Sequence, residues 1–403
     1  MNVLVADYDY HLPEDRIAQY PTARRDASQL LLYKDGHIEK NRFYNLPQFL
    51  PAGSTLVINN SRVIEARLLF QKPSGGLIEL FCLEPVRSQT GSAVWTCMGG
   101  GLARWKGDGV LEKEILVGAK KHLLRARRGE RTTQGLEVFF DWDGDVDFFS
   151  LLQHGGEVPL PPYMKRKANE EDVKRYQTVF AQEKGSVAAP TAALHFTPEV
   201  FAALADKHIY KTEITLHVGA GTFLPVKAAA VKDHNMHSER FTVTAAALHH
   251  LIRAQEVIAV GTTSLRTLES LHWLGVKLLE GGTDAFDGTL LQWEAYQLPQ
   301  EKYNYAKSLG ALHDHLQQRQ EDALHCRTSL LIGPGYRFQS ATALITNFHQ
   351  PKSTLILLIA AFIGEDWRKV YDYALQNNFR FLSYGDSSLL WRKESLAGKA
   401  FAL

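Results

Sequence analysis

What most constrains this chain is a change of rhythm along it. Apolar runs such as STLVIN (54–59), ITLHV (214–218), VIAVG (257–261), SLLIG (329–333) and ALITNF (343–348) alternate with amphipathic stretches such as TPEVFAALADKH and SLRTLESLHWLG. That alternation predicts an α/β body. Between about 67 and 142 it stops, and the short runs RLLFQK, GLIELFCLEP, SAVWTCM and GLEVFFDW are divided by Gly, Ser and Asp turns with little helical period. A compact all-β, barrel-like unit is expected there. The predicted fold is an α/β main domain, residues 1–66 and 146–403, interrupted by a small all-β barrel-like domain, 67–145. At 403 residues the chain also exceeds the roughly 250–300 at which a single core stops growing.

Within this frame, LLLY (30–33) and HIEKNRF (37–43) flank Lys34-Asp35-Gly36 as a hairpin. Helices are expected at 146–156, ending on a glycine pair, and at 169–180, where Asn169 caps and acids fill the first turn. The apolar run 355–363 reads as a buried helix, well short of the ~20 residues needed to cross a bilayer. Residues 276–326, rich in Gly, Gln and His with one amphipathic stretch near 300–323, read as an excursion from the core.

Lysine and arginine number 45 against 44 acids, so any nucleic-acid contact must come from local basic patches. Two exist: 120–131, with Arg125, Arg127 and Arg128, and 163–167, with Lys165, Arg166 and Lys167. Each reads equally as a solvated face or a phosphate contact. Cys82, Cys97 and Cys326 form no CxxC pair and no disulfide framework, and the opening MNVLVADYDYHLPEDR lacks the pattern of an export signal. A cytoplasmic protein is expected.

Several segments carry polar groups at strand ends, where open α/β sheets bind ligands. GSVAAPTAALHFT (185–197) offers Thr191 and His195 among small residues that admit close backbone approach, or that simply make a tight loop. HVGAGTFLPV (217–226) offers His217, Gly219, Gly221 and Thr222; it lacks a third glycine and a following helix, which excludes a dinucleotide fingerprint. HNMHSE (234–239) groups His234, His237 and Glu239, yet no cysteine or further acid stands at metal-ligand spacing, so no metal is expected. VIAVGTTSLRTLES (257–270) places Thr262 and Thr263 at a helix start, as caps or anion donors, with Arg266 one turn in as a carboxylate partner. TNFHQPKSTL (346–355) adds Asn347, His349 and Lys352, and SYGDSS (383–388) adds Tyr384 and Asp386.

Taken in order, these segments together with DYDYHLPEDRIAQYP, RRDASQLL, NNSRVIEARL, PLPPYMKR, RYQTVFA and PGYRF resemble the S-adenosylmethionine:tRNA ribosyltransferase-isomerase family along nearly the whole chain. The resemblance implies an α/β domain interrupted by a small β-barrel. It implies a tRNA bearing 7-aminomethyl-7-deazaguanine as acceptor and S-adenosylmethionine as substrate, with epoxyqueuosine-tRNA, adenine and methionine as products. No catalytic cofactor is implied, and a monomer is expected. For that chemistry His195, His217 and His349 are candidate bases, and Arg266 and Lys352 candidate partners of the methionine carboxylate. The chain departs from the family pattern at Ser61, Glu65, Ala193, Ser329, Thr342 and Gln350 and through the long 276–326 stretch. These departures keep open a paralogue with another acceptor, and a non-catalytic RNA-binding descendant.

Overall fold

The computed structural model describes residues 3–72, 74–105, 109–132, 135–219, 226 and 228–393. The chain opens with the hairpin β1 (Gln29–Lys34) and β2 (His37–Arg42), whose turn residues Asp35 and Gly36 both have positive φ, at 49° and 85°. That is the backbone a two-residue hairpin turn needs to match the twist of its strands. A short helix α1 (Leu46–Phe49) and strands β3 (Thr55–Asn59) and β4 (Ser61–Val63) follow.

Strands β5 (Arg67–Gln71), β6 (Leu77–Gln89), β7 (Ser92–Gly100), β8 (Leu111–Val117), β9 (Lys120–Arg131) and β10 (Leu136–Trp142) form one antiparallel sheet in the order β5-β6-β7-β10-β9-β8. Its two ends approach each other, with Lys113 of β8 donating to the Leu69 carbonyl of β5 at 3.1 Å, so the sheet nearly closes on itself. Alternate residues turn inward, among them Phe70, Trp95, Val138 and Phe140, and build a core of their own. Helix α2 (Phe148–Gly155) inserts Phe148, Leu151 and Leu152 into this same core.

The rest of the chain supplies α3 (Glu170–Arg175), β11 (Glu183–Ser186), α4 (Pro198–Asp206), β12 (Tyr210–Leu216), β13 (Glu239–Thr244), α5 (Ala245–Arg253), β14 (Val257–Val260), α6 (Thr262–Gly281), β15 (Thr289–Leu290), α7 (Tyr305–Arg319), β16 (Ala323–Thr328), β17 (Ala343–Asn347), α8 (Thr354–Ile363), α9 (Asp366–Gln376) and β18 (Ser387–Trp391). A ten-stranded mixed sheet runs β15-β16-β13-β12-β3-β14-β17-β18-β1-β2. Its centre, β12, β3, β14 and β17, is parallel, and every residue of β3, β14 and β17 is buried, as expected for strands covered on both faces. β11 pairs with β4 in a separate two-stranded ladder.

Three expectations need correction. The helix at 169–180 stops at Arg175, because the Arg175 guanidinium turns back to the Thr22 and Ala23 carbonyls and the Gln177 side chain bonds both backbone groups of Val63. SLLIG (329–333) is no strand: Ser329 and Leu331 donate to Leu290 and Gln292, and the Leu330 carbonyl is taken by Arg266. The 276–326 stretch is not an excursion from the core. Val276, Leu278, Leu290, Leu309, Leu312 and Leu316 are buried in the main cluster, and β16 is a strand of the main sheet.

Candidate active site

The C-terminal ends of β14 and β17 open on a small cavity of about 80 Å³. Its wall includes Thr191, Thr262, Thr263, Asn347, His349 and Gln350, drawn from three of the segments singled out above. Val218 lines it as well, while His217 and Gly219 line a second, larger cavity of about 580 Å³. The two cavities therefore lie on either side of 217–219. The larger one runs between β6 and β7 of the six-stranded sheet and β13 and β16 of the ten-stranded sheet, with Glu84, Thr96, Arg240 and Arg327 in its wall. Its size is that of a typical small-molecule site. Gly221 and Thr222 lie outside the described residues.

Each candidate histidine has a different setting. His195 is buried behind Asn347 and lines neither cavity; its Nε2 accepts from Asn347 Nδ2 at 3.2 Å, so Nδ1 carries the hydrogen and donates to Ser28 Oγ at 2.8 Å. Burial pushes its imidazole down to about 3, so the ring is neutral. His349 is pushed down to about 3 by burial too, with Nε2 2.9 Å from Thr346 Oγ1 and its backbone held by Tyr10 and Tyr371 hydroxyls. His217 is lowered by burial, and its Nδ1 is buried without a hydrogen-bond partner beside Gly185, where even a methyl group would meet the ring at 2.9 Å.

The charged candidates are already paired. Arg266 donates to Glu239 at 2.6 Å and to the Leu330 carbonyl at 3.2 Å, and Glu239 also accepts the Gly219 N–H at 3.2 Å. Glu239 of HNMHSE is thus the carboxylate that Arg266 holds in this structure. Lys352, with φ of 55°, pairs with Asp9 at 2.6 Å. Asp386 is a structural carboxylate, accepting from Gln29 N at 2.8 Å and Arg380 N at 2.7 Å. Tyr384 donates to Asp172 at 2.8 Å, which in turn takes a two-pronged contact from Arg166 at 2.6 and 2.8 Å. Burial alone would raise the Asp172 carboxyl, but Arg166, Asn169 and Tyr384 together hold it below the usual range.

Of the basic residues, Arg166 is therefore a half-buried anchor rather than a free cation, and it also stacks on Tyr20 with 4.3 Å to the ring centroid. Arg128 reaches back to the Trp105 carbonyl at 2.8 Å. Arg127 pairs with Asp141 at 2.6 Å and Arg125 with Glu112 at 3.3 Å, yet both side chains stay substantially exposed. Lys165 is exposed and paired with Glu14 at 2.7 Å, and Lys167 is exposed.

Of the departures at Ser329, Thr342 and Gln350, only Gln350 lines the cavity. Thr342 precedes β17 at the end opposite Asn347, donating to Glu256 at 2.6 Å, and Ser329 pairs with Leu290. Ser28, Tyr163 and Ser383 join the site without having been singled out, the last two sharing a hydrogen bond of 2.5 Å at the cavity wall. All three sit inside segments that carried the resemblance, which was the signal available for them. Among the described residues, no three His, Cys, Asp or Glu side chains gather as a metal set, and no helix is long and apolar enough to cross a membrane.

The family model described as "Queuosine biosynthesis protein" matches residues 5–390. A protein named S-adenosylmethionine:tRNA ribosyltransferase-isomerase from Anaeromyxobacter sp. is 38% identical over 97% of this chain and 99% of its own. One of the same name from Pelobacter propionicus is 36% identical over 96% of this chain and all of its own. A solved structure titled S-adenosylmethionine tRNA ribosyltransferase, from Thermotoga maritima, is 26% identical over 95% of this chain and 99% of its own, with a TM-score of 0.45. With the match running through every segment that builds the two cavities, the chain belongs to the queuosine biosynthesis protein family.

Proposed function

We propose that this protein transfers and isomerises the ribosyl group of S-adenosylmethionine onto 7-aminomethyl-7-deazaguanine in tRNA, releasing adenine and methionine. The observation that carries the reading is full-length similarity to relatives named for this activity, with the matched segments gathered around two adjoining cavities. The larger cavity has room for a nucleoside, and the smaller for a few atoms beyond it.

The reaction needs a base to remove a proton beside the sulfonium, whose charge stabilises the carbanion as an ylide. The ylide opens the ribose ring by breaking C4′–O4′, and the freed oxygen becomes a carbonyl at C1′ as adenine leaves with a proton. The acceptor amine adds to the vinyl sulfonium so formed, and after closure of the carbon ring on that carbonyl the resulting alkoxide displaces methionine to close the epoxide. His217 is the base in this reading. It lines the larger cavity, and burial lowers its imidazole, which favours the neutral, proton-accepting form. His349 lines the small cavity and assists proton transfer there. Glu239 and the Leu330 carbonyl take two groups of the Arg266 guanidinium and leave its second Nη without a partner, while Lys352 pairs with Asp9 in a partly exposed contact. The chain is proposed to act in the cytoplasm, as a monomer, with no catalytic cofactor.

The chain divides, on this reading, into a main domain of 1–66 and 146–403 and a barrel domain of 67–145. Support comes from the ten-stranded sheet taking strands only from outside 67–145, while the six-stranded sheet takes none. Helix α2, although numbered with the main domain, packs on the barrel core. The tRNA phosphates are proposed to meet Arg125, Arg127, Lys165 and Lys167. The test is release of adenine and methionine from S-adenosylmethionine, dependent on the modified tRNA; it should fall by roughly 10²–10⁴ in His217→Gln with substrate binding retained. Undiminished turnover in that variant removes His217 as base.

A further inference from the structure

The small cavity has two features that the reading above does not use. The first is its electrostatics. Residues Gly261, Thr262 and Thr263 bring the N-terminus of α6 to the wall, and Ser353 with Leu355 brings that of α8. Helix α6 is 20 residues long and has no side-chain cap, so the N–H groups of Thr262, Thr263 and Ser264 have no acceptor among the described residues. Thr263 Oγ1 is likewise buried without a partner. The uncapped N-terminus of α6, beside that of α8, which Ser353 caps through the Ile356 N–H, thus faces a cavity whose described wall contains no carboxylate, a setting that favours an anion.

The second feature is a buried acceptor with nothing to accept from. Asn347 is 3% exposed and lines the cavity. Its Nδ2 donates away from the cavity, to His195 Nε2 at 3.2 Å and toward the Asp386 carbonyl at 3.4 Å, neither of which belongs to the wall. The amide is thereby oriented. Oδ1, on the other side of the planar group, is buried and unpartnered, an unfavourable state that a donor from a bound molecule would relieve. A group that is both anionic and an N–H donor within a few atoms fits this pair of demands. A phosphodiester supplies the anion without the donor. An α-amino acid supplies both.

We propose that the small cavity receives the α-amino-acid end of S-adenosylmethionine, the carboxylate on the N-terminus of α6 and the ammonium on Asn347 Oδ1, with His195 as the positioning residue that fixes the Asn347 amide. This rests on S-adenosylmethionine being the substrate. The cavity volume of about 80 Å³ suits such an end and leaves the nucleoside to the larger cavity beyond 217–219. It also explains why His195, which touches neither cavity, lies at the centre of the network Ser28–His195–Asn347.

The test is calorimetry on the full chain with S-adenosylmethionine and with 5′-methylthioadenosine, which keeps the nucleoside and lacks the amino-acid end. The unaltered protein should bind S-adenosylmethionine roughly 10- to 100-fold more tightly, the range for charged hydrogen bonds. Asn347→Leu should lose roughly tenfold for S-adenosylmethionine and nothing for methylthioadenosine. His195→Gln should raise the KM for S-adenosylmethionine with kcat retained, whereas a base would lose kcat. L-methionine should compete for the site and inorganic phosphate should not. Equal affinity for the two nucleosides, competition by phosphate alone, or a kcat loss of 10² or more in His195→Gln overturns the assignment. Failure of S-adenosylmethionine to bind at all overturns the functional reading with it.

Discussion

Arg266 on α6 and Glu239 at the start of β13 form a buried pair 2.6 Å apart, each side chain 6% exposed. The same carboxylate accepts the Gly219 N–H, so one ion pair fixes a helix, a sheet strand and the segment between the two cavities. Burying a charged pair contributes little net stability, but removing one partner leaves a bare charge in a dry site.

Arg266→Ala or Glu239→Ala should therefore lose about 3–5 kcal/mol of stability. Replacing both by apolar residues of similar volume, Arg266→Met with Glu239→Leu, should recover most of it. Urea denaturation of the single and double variants measures this. Additive losses in the double variant contradict the pair as described.

Arg166 and Arg127 should separate folding from RNA contact. Arg166 donates both Nη groups to the buried Asp172, so Arg166→Ala should unfold at lower temperature. Arg127 is 56% exposed on β9, so neutralising it in Arg127→Gln together with Arg125→Gln and Lys167→Gln should leave the melting temperature near its original value, since exposed ion pairs contribute little, and raise the KM for tRNA. Added salt should weaken tRNA binding steeply in the unaltered protein and less steeply in the triple variant, because fewer counterions are released. Melting curves and titrations at several salt concentrations provide the check.

Acid should destabilise the fold in a defined window. Burial holds His195 and His349 down to about 3 and His272 down to about 4, against 6.5 in the unfolded chain. Below about 6.5 the unfolded state takes up protons that the folded state refuses, so their contribution is complete above that pH and declines as pH falls toward 3. Each should add a slope of up to about 1.4 kcal/mol per pH unit. Stability measured from pH 7 to pH 4 in unaltered protein and in His272→Gln should differ in slope by about one proton. Identical slopes contradict burial of a neutral His272.

Much of this was legible in the sequence, for reasons that differ by element. The β1–β2 hairpin and the central strands β3, β14 and β17 follow from turn chemistry and fully apolar runs. The antiparallel unit followed from period-two alternation. SLLIG misled because an apolar run can be buried by packing without joining a sheet, and here its carbonyl is spent on Arg266. The 276–326 stretch misled because α7 buries only the stripe containing Leu309, Leu312 and Leu316, which a polar average hides. Candidate residues could be named by type, but their partners could not: that Glu239 meets Arg266, or that His195 faces Asn347 across 152 positions, is a long-range fact. Spacing along the chain carries no record of it.

We propose above that this chain modifies the deazaguanine base of tRNA with the ribosyl group of S-adenosylmethionine. It is tested most directly by incubating the purified protein with S-adenosylmethionine and tRNA bearing 7-aminomethyl-7-deazaguanine, then digesting the tRNA and analysing its nucleosides by mass spectrometry. The expected digest contains epoxyqueuosine, with adenine and methionine released in equal amount. Release of adenine and methionine only with another acceptor, while the modified tRNA neither reacts nor competes, would contradict it.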